Sequence, residues 1–137
     1  MKEKKQSRLV GPIEFRLLVV PRYKEREKKF VTVIELQTVQ EFSNFRYDIV
    51  VQDTVEDDVL YLNIRGLRAP QPIMPAVGPA LFRKEYADLV RVRKIIVTKI
   101  DGEKNSFLVS ISRKDVKVKR NPPEKFVELV PQKMSSQ

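Results

Sequence analysis

Apolar residues recur at every second position in short runs along this chain, and turn-forming residues separate the runs. Ile13, Phe15, Leu17 and Val19 alternate with Glu14 and Arg16, and Leu60, Leu62 and Ile64 alternate with Tyr61 and Asn63. Phe107, Val109 and Ile111 alternate with Leu108 and Ser110. A period of two sends successive side chains to opposite faces of an extended strand, so each run makes one half-buried strand. No longer segment carries an apolar stripe at helical spacing. This pattern constrains the fold more than any single motif.

The runs place strands over residues 13–20, 30–42, 47–53, 58–65, 90–100, 106–113, 116–119 and 126–130. Pro21 is expected to stop the first of them, because proline cannot donate to a ladder. Residues 22–29 are almost all charged and read as an exposed loop or a single helical turn. A slip of phase between Val33 and Ile34 predicts a bulge or a change of face. Residues 54–57 make a tight connection. Asp101-Gly102 is a strong hairpin signal, since glycine tolerates the positive φ such turns need. Residues 80–89 fit either an edge strand or a helical turn.

Residues 66–79 stand apart, with four prolines and two glycines that disfavour regular hydrogen-bonded structure. They read as a crossover within a single β domain spanning residues 9–130. Residues 1–8, rich in lysine, and 131–137 read as disordered tails. Strand-rich, turn-punctuated chains of this size form sandwiches or barrels. The expected fold is therefore all-β. An immunoglobulin-like β-sandwich of about seven to nine short strands is favoured, and a small closed β-barrel is the alternative. The chain has neither the cysteines nor the tryptophan that mark true immunoglobulin domains.

Composition bounds the chemistry. The 137 residues contain no cysteine and no histidine. No disulfide or thiolate is available, and the commonest neutral-pH general base and zinc ligand are missing. The four glycines are isolated, so there is no phosphate-cradling loop. Asp53, Glu56, Asp57 and Asp58 cluster in sequence, but without the spacing or turn glycine of a calcium loop. No serine has a base at a recognisable spacing. No cofactor, metal or catalytic residue is expected, and the chain reads as a non-enzymatic interaction domain. The apolar stretch over residues 9–20 contains Glu14 and Arg16, which a signal-peptide core excludes. No run approaches the length of a membrane span. A cytoplasmic protein without membrane insertion is expected.

Two surface signals remain. Leu67, Ile73, Met74 and Val77 lie among the prolines, where a stiff segment can present apolar side chains to a protein partner at low ordering cost. The second signal is charge. The chain carries 27 basic and 18 acidic side chains, a net +9, distributed in blocks. Residues 1–30 and 64–100 each carry a net +6, whereas residues 31–63 carry a net −6. Arg91, Arg93, Lys94, Arg113, Lys114, Lys117, Lys119 and Arg120 could form one basic stripe across neighbouring strands, suited to nucleic acid or another polyanion. Opposite blocks on one chain also permit pairing between two copies, a homo-oligomer. A protein partner is the leading expectation and a polyanion the alternative.

Overall fold

The computed structural model describes residues 12–69 and 74–136. Their ordered elements are all strands: β1 (Phe15–Lys24), β2 (Lys29–Phe42), β3 (Asp48–Glu56), β4 (Val59–Arg68), β5 (Gly78–Tyr86), β6 (Lys94–Thr98), β7 (Lys104–Ile111), β8 (Val116–Arg120), β9 (Val127–Pro131) and β10 (Ser135–Ser136). Among the described residues, no helix is long and apolar enough to cross a membrane.

All ten strands belong to one sheet, in the order β10-β1-β2-β5-β3-β4-β6-β7-β8, with β9 also paired to β1. Antiparallel hairpins join β1 to β2, β3 to β4, β6 to β7 and β7 to β8. Parallel ladders join β4 to β6, from Val59↔Lys94 to Asn63↔Thr98, and β1 to β9. Because β2 occupies one edge of β1 along its whole length, β9 and β10 share the other edge. β8 comes back beside β9 and β1, so the sheet nearly closes on itself as a barrel. This organisation supports the barrel alternative rather than the favoured sandwich. The β4–β6 ladder and the Asp48↔Leu81 bridge unite in one sheet what a sandwich would hold as two.

The barrel interior holds one core. Leu17, Val19, Ile34, Leu36, Leu60, Leu62, Ile95, Val97, Phe107 and Val127 are fully buried and come from six strands. Each such side chain contributes about 1.5–3 kcal/mol by leaving water. Asn105, 2 % exposed, stands among them. Its Oδ1 accepts from the backbone N–H of Phe126 (2.9 Å) and Val127 (3.1 Å). Its Nδ2 donates to the Glu124 carbonyl at 2.9 Å. One side chain of β7 thus fixes the start of β9 and satisfies polar groups that the unfinished ladder leaves over. At the opposite end of the seam, the Met134 N–H donates to the Lys114 carbonyl at 2.8 Å.

Several local expectations change. β1 runs through Pro21 to Lys24, so residues 22–24 are strand and only residues 25–28 turn. The Val19 carbonyl accepts from Gln132 on the C-terminal edge, so Pro21, two residues on, turns its missing donor to that same edge. The ladder there lapses between Pro131 and Ser135, and no bond is lost. Val33 and Ile34 show no bulge, since the β1–β2 register is unbroken; both are buried although they point to opposite faces. The β2 irregularity falls instead between Gln37 and Glu41. There Thr38 Oγ1 accepts from the Ala80 N–H at 2.9 Å and donates to the Gln40 carbonyl at 2.8 Å.

The proline-rich stretch is more regular than expected. β4 extends to Arg68, β5 begins at Gly78, and Pro75 bridges to Phe45. Residues 70–73 lie outside the described residues, as do residues 1–11. β5 resolves the choice over residues 80–89 in favour of a strand as far as Tyr86. Residues 131–136, read as tail, lie along β1. The Asp101-Gly102 turn forms where expected, with Gly102 at φ 93° and the Gly102 N–H donating to the Lys99 carbonyl at 2.9 Å.

Candidate functional site

Inward and outward positions alternate along each strand until the strands run out at the barrel ends. There the residues next in phase have no opposite wall. At the end where β1 begins, Ile13, Phe15, Val39, Phe42, Leu67 and Ile100 line an open cleft of about 410 Å³. The cleft is built from the entry to β1, the end of β2, the end of β4 and the β6–β7 turn. Three of its apolar side chains stay exposed: Ile100 at 71 %, Leu67 at 45 % and Val39 at 38 %.

A charged rim fixes one wall of the cleft. The Lys99 ammonium donates to Glu14 Oε2 at 2.8 Å and lies 3.2 Å from Glu103 Oε1. It also sits 4.7 Å from the centre of the Phe126 ring. The Glu14 hydrogen bond is the main reason the Lys99 pKa is raised above its ordinary value. Lys99 is therefore a strut across the barrel end, and its neighbour Ile100 is pushed outward.

The four apolar residues singled out in the sequence divide. Leu67 lines the cleft. Met74 and Val77, 62 % and 63 % exposed, lie on a neighbouring segment held by the Ala76 N–H to the Asn44 carbonyl (3.1 Å). A run of edge-on rings, Phe42–Tyr47 and Tyr47–Phe45, each with centroids 5.1 Å apart, links that segment to the cleft. Ile73 lies outside the described residues. Ile13, Phe15, Val39, Phe42 and Ile100 escaped the sequence reading. The available signal was position: Ile100 directly precedes the Asp101-Gly102 turn, where an outward apolar residue has no strand partner to cover it.

The eight cations also divide. Lys94 pairs with Leu108, and Leu108 with Arg120, so one row crosses the outer face of β6, β7 and β8. Lys117 lies opposite Ser110 on that face. Arg93 and Lys119 flank a depression of about 250 Å³ over Leu108 and Ser110. The other three lie elsewhere. Arg91 is 4.0 Å from Asp88, the Arg113 guanidinium sits 4.9 Å from the Phe30 ring centre, and Lys114 is in the β7–β8 turn. Among the described residues, none of the five on the outer face takes part in an ion pair.

The acidic block is dispersed, and the Asp58 carbonyl accepts from the Arg93 and Lys94 N–H groups (2.7 and 3.2 Å) at the border of that face. Asp53 turns toward the barrel interior, where its Oδ2 accepts from Tyr86 Oη at 2.6 Å and Lys84 Nζ at 2.8 Å. Burial alone would raise the Asp53 pKa, but these hydrogen bonds outweigh it and hold the carboxyl below its ordinary value. Burial first, then the bond to Asp53, pushes the Tyr86 phenol far upward. Asp48 lies 3.8 Å from Arg68. Glu56, Asp57 and Asp58 stay exposed at the β3–β4 turn, apart from Asp53. Among the described residues, no three acids gather as a metal-binding group.

Compared with known proteins, the chain matches no family model, no curated protein and no solved structure.

Proposed function

We propose that this barrel is a non-enzymatic interaction domain that binds an apolar segment of a protein partner in the cleft at the start of β1. The observation that carries the reading is the lining: seven apolar residues, Ile64 with the six named above, meet from four separate parts of the chain at one barrel end, and three of them remain exposed. Contiguous exposed apolar surface with a polar rim is the usual mark of a contact site. The Glu14–Lys99–Glu103 rim gives the cleft polar groups that orient an incoming backbone. A chain without histidine or cysteine, and with no serine set beside a recognisable base, supports binding rather than turnover.

Selection of a random displayed-peptide library on the intact protein tests this reading. Enriched peptides share apolar residues, and they lose at least about tenfold affinity for the Leu67→Asp/Ile100→Asp variant, the worth of one buried apolar side chain. Both positions are exposed, so the variant keeps its fold. No enrichment, or equal binding to the variant, overturns the reading.

A further inference from the structure

The outer face of β4, β6, β7 and β8 adjoins the cleft at Ile64 and Ile100 but has a different chemistry. Register places its side chains in rows. One row runs Val59, Lys94, Leu108, Arg120. The next runs Tyr61, Ile96, Ser106. A third runs Asn63, Thr98, Lys104. Successive outward rows are about 6.6 Å apart, two residues along each strand. Arg65 follows Asn63 on β4, and Lys117 and Lys119 extend the pattern on β8. No acidic residue occupies any of these outward positions.

The face is not flat. Tyr61, Asn63, Arg65, Ile96 and Lys104 border a depression of about 600 Å³, and the smaller depression over Leu108 and Ser110 lies beyond the Lys94 row. Tyr61, Ile96 and Leu108 are all half-exposed. They form an apolar and aromatic floor, with Arg65 and Lys104 on one side and Arg93, Lys94, Lys117, Lys119 and Arg120 on the other.

We infer that this face binds single-stranded nucleic acid. Cations on both sides of the floor match a phosphate backbone, and the floor itself offers a surface on which unpaired bases lie. A duplex hides its bases and leaves Tyr61, Ile96 and Leu108 unused. A lipid surface or a sulfated polysaccharide has no flat ring for Tyr61. The floor therefore selects one polyanion class among those that the charge admits.

Fluorescence anisotropy of a labelled oligo(dT) 20-mer, titrated with the full chain at several salt concentrations, tests the inference. Seven phosphate contacts, one for each cation beside the floor, give a slope of log K against log salt of about −4.9. Lys94→Gln/Lys117→Gln/Lys119→Gln reduces the slope to about −2.8. Arg16→Gln/Arg26→Gln/Lys29→Gln, an equal loss of charge on β1, β2 and the turn between them, leaves it unchanged. Tyr61→Ala weakens binding about 5- to 100-fold at constant salt, with an unaltered slope. The same sequence as a duplex binds more weakly than the single strand. No binding at low salt overturns the inference. So does equal sensitivity to the two triple variants. Binding to duplex, heparin or anionic vesicles as tight as to oligo(dT), with Tyr61→Ala silent, also overturns it. Ile100 lines both surfaces, so Leu67→Asp alone separates them: its loss of peptide binding is independent of all these outcomes, because Leu67 lines the cleft and not the depression on the outer face.

Discussion

Asn105→Ala removes the side chain that ties β7 to the start of β9. Two buried N–H groups, those of Phe126 and Val127, then lose their acceptor, and the Glu124 carbonyl loses its donor. An unsatisfied buried donor costs about 1–3 kcal/mol. Two give about 2–6 kcal/mol, and water entering beside the partly buried Glu124 carbonyl offsets some of that. The expected loss is about 3–4 kcal/mol, out of a total stability of about 5–15 kcal/mol. Asn105→Leu keeps most of the volume and restores none of the bonds, so it loses nearly as much. Urea unfolding followed by far-ultraviolet circular dichroism measures both. The midpoint falls and the slope stays constant if the native seam alone is weakened. Stability within about 1 kcal/mol of the parent for both variants would refute the argument that Asn105 seals the barrel. A full rescue by leucine would show that space, not hydrogen bonding, decides the site.

Three further outcomes are expected. The phenol of Tyr86 is held above its ordinary value in the fold, so its contribution is complete below about pH 10 and is lost as pH rises beyond that. Tyr86→Phe flattens the alkaline limb of a stability–pH curve. Asp53 is held below its ordinary value, so its contribution is complete above about pH 4 and declines as pH falls further. Asp53→Asn removes that acid limb, as unfolding midpoints between pH 2 and pH 6 would show. Thr38→Val strands the buried Ala80 N–H and costs about 1–2 kcal/mol in urea unfolding, although the two side chains are nearly isosteric.

The strands were legible because alternation is a local signal. The turn at Asp101-Gly102 was legible for the same reason: one glycine with positive φ is enough to specify it. The path of the sheet was not. Val59 pairs in parallel with Lys94, and Phe15 with Val127, across long stretches of chain that carry no mark of the partnership. Those pairings, rather than any strand, distinguish a barrel from a sandwich. Pro21 misled for a related reason. Whether a proline ends a strand depends on what lies along its donor edge, and here the answer sits more than a hundred residues away. The cleft was equally diffuse. Leu67 drew notice because prolines surround it, whereas Val39 and Ile100 look like ordinary strand residues until the barrel end leaves them uncovered. Among the cations, Lys94 and Lys117 fell on the predicted face because outward positions follow from phase, whereas Arg120 reaches it through the register shift between Leu108 and Val109. Arg113 and Lys114 sit on a turn, where phase says nothing.

The position of β1 between β2 and the C-terminal strands has a consequence for synthesis. As the chain lengthens on a ribosome, β1 and β2 can pair early, but the second edge of β1 stays open until residues 127–136 emerge. For that interval the nascent barrel exposes a row of unpaired backbone groups beside an apolar interior, the condition under which chains join one another edge to edge. Residues 127–136 thus finish a strand that was made more than a hundred residues earlier. A polypeptide stalled or cleaved ahead of Val127 would be an aggregation-prone open sheet, not a slightly shorter barrel.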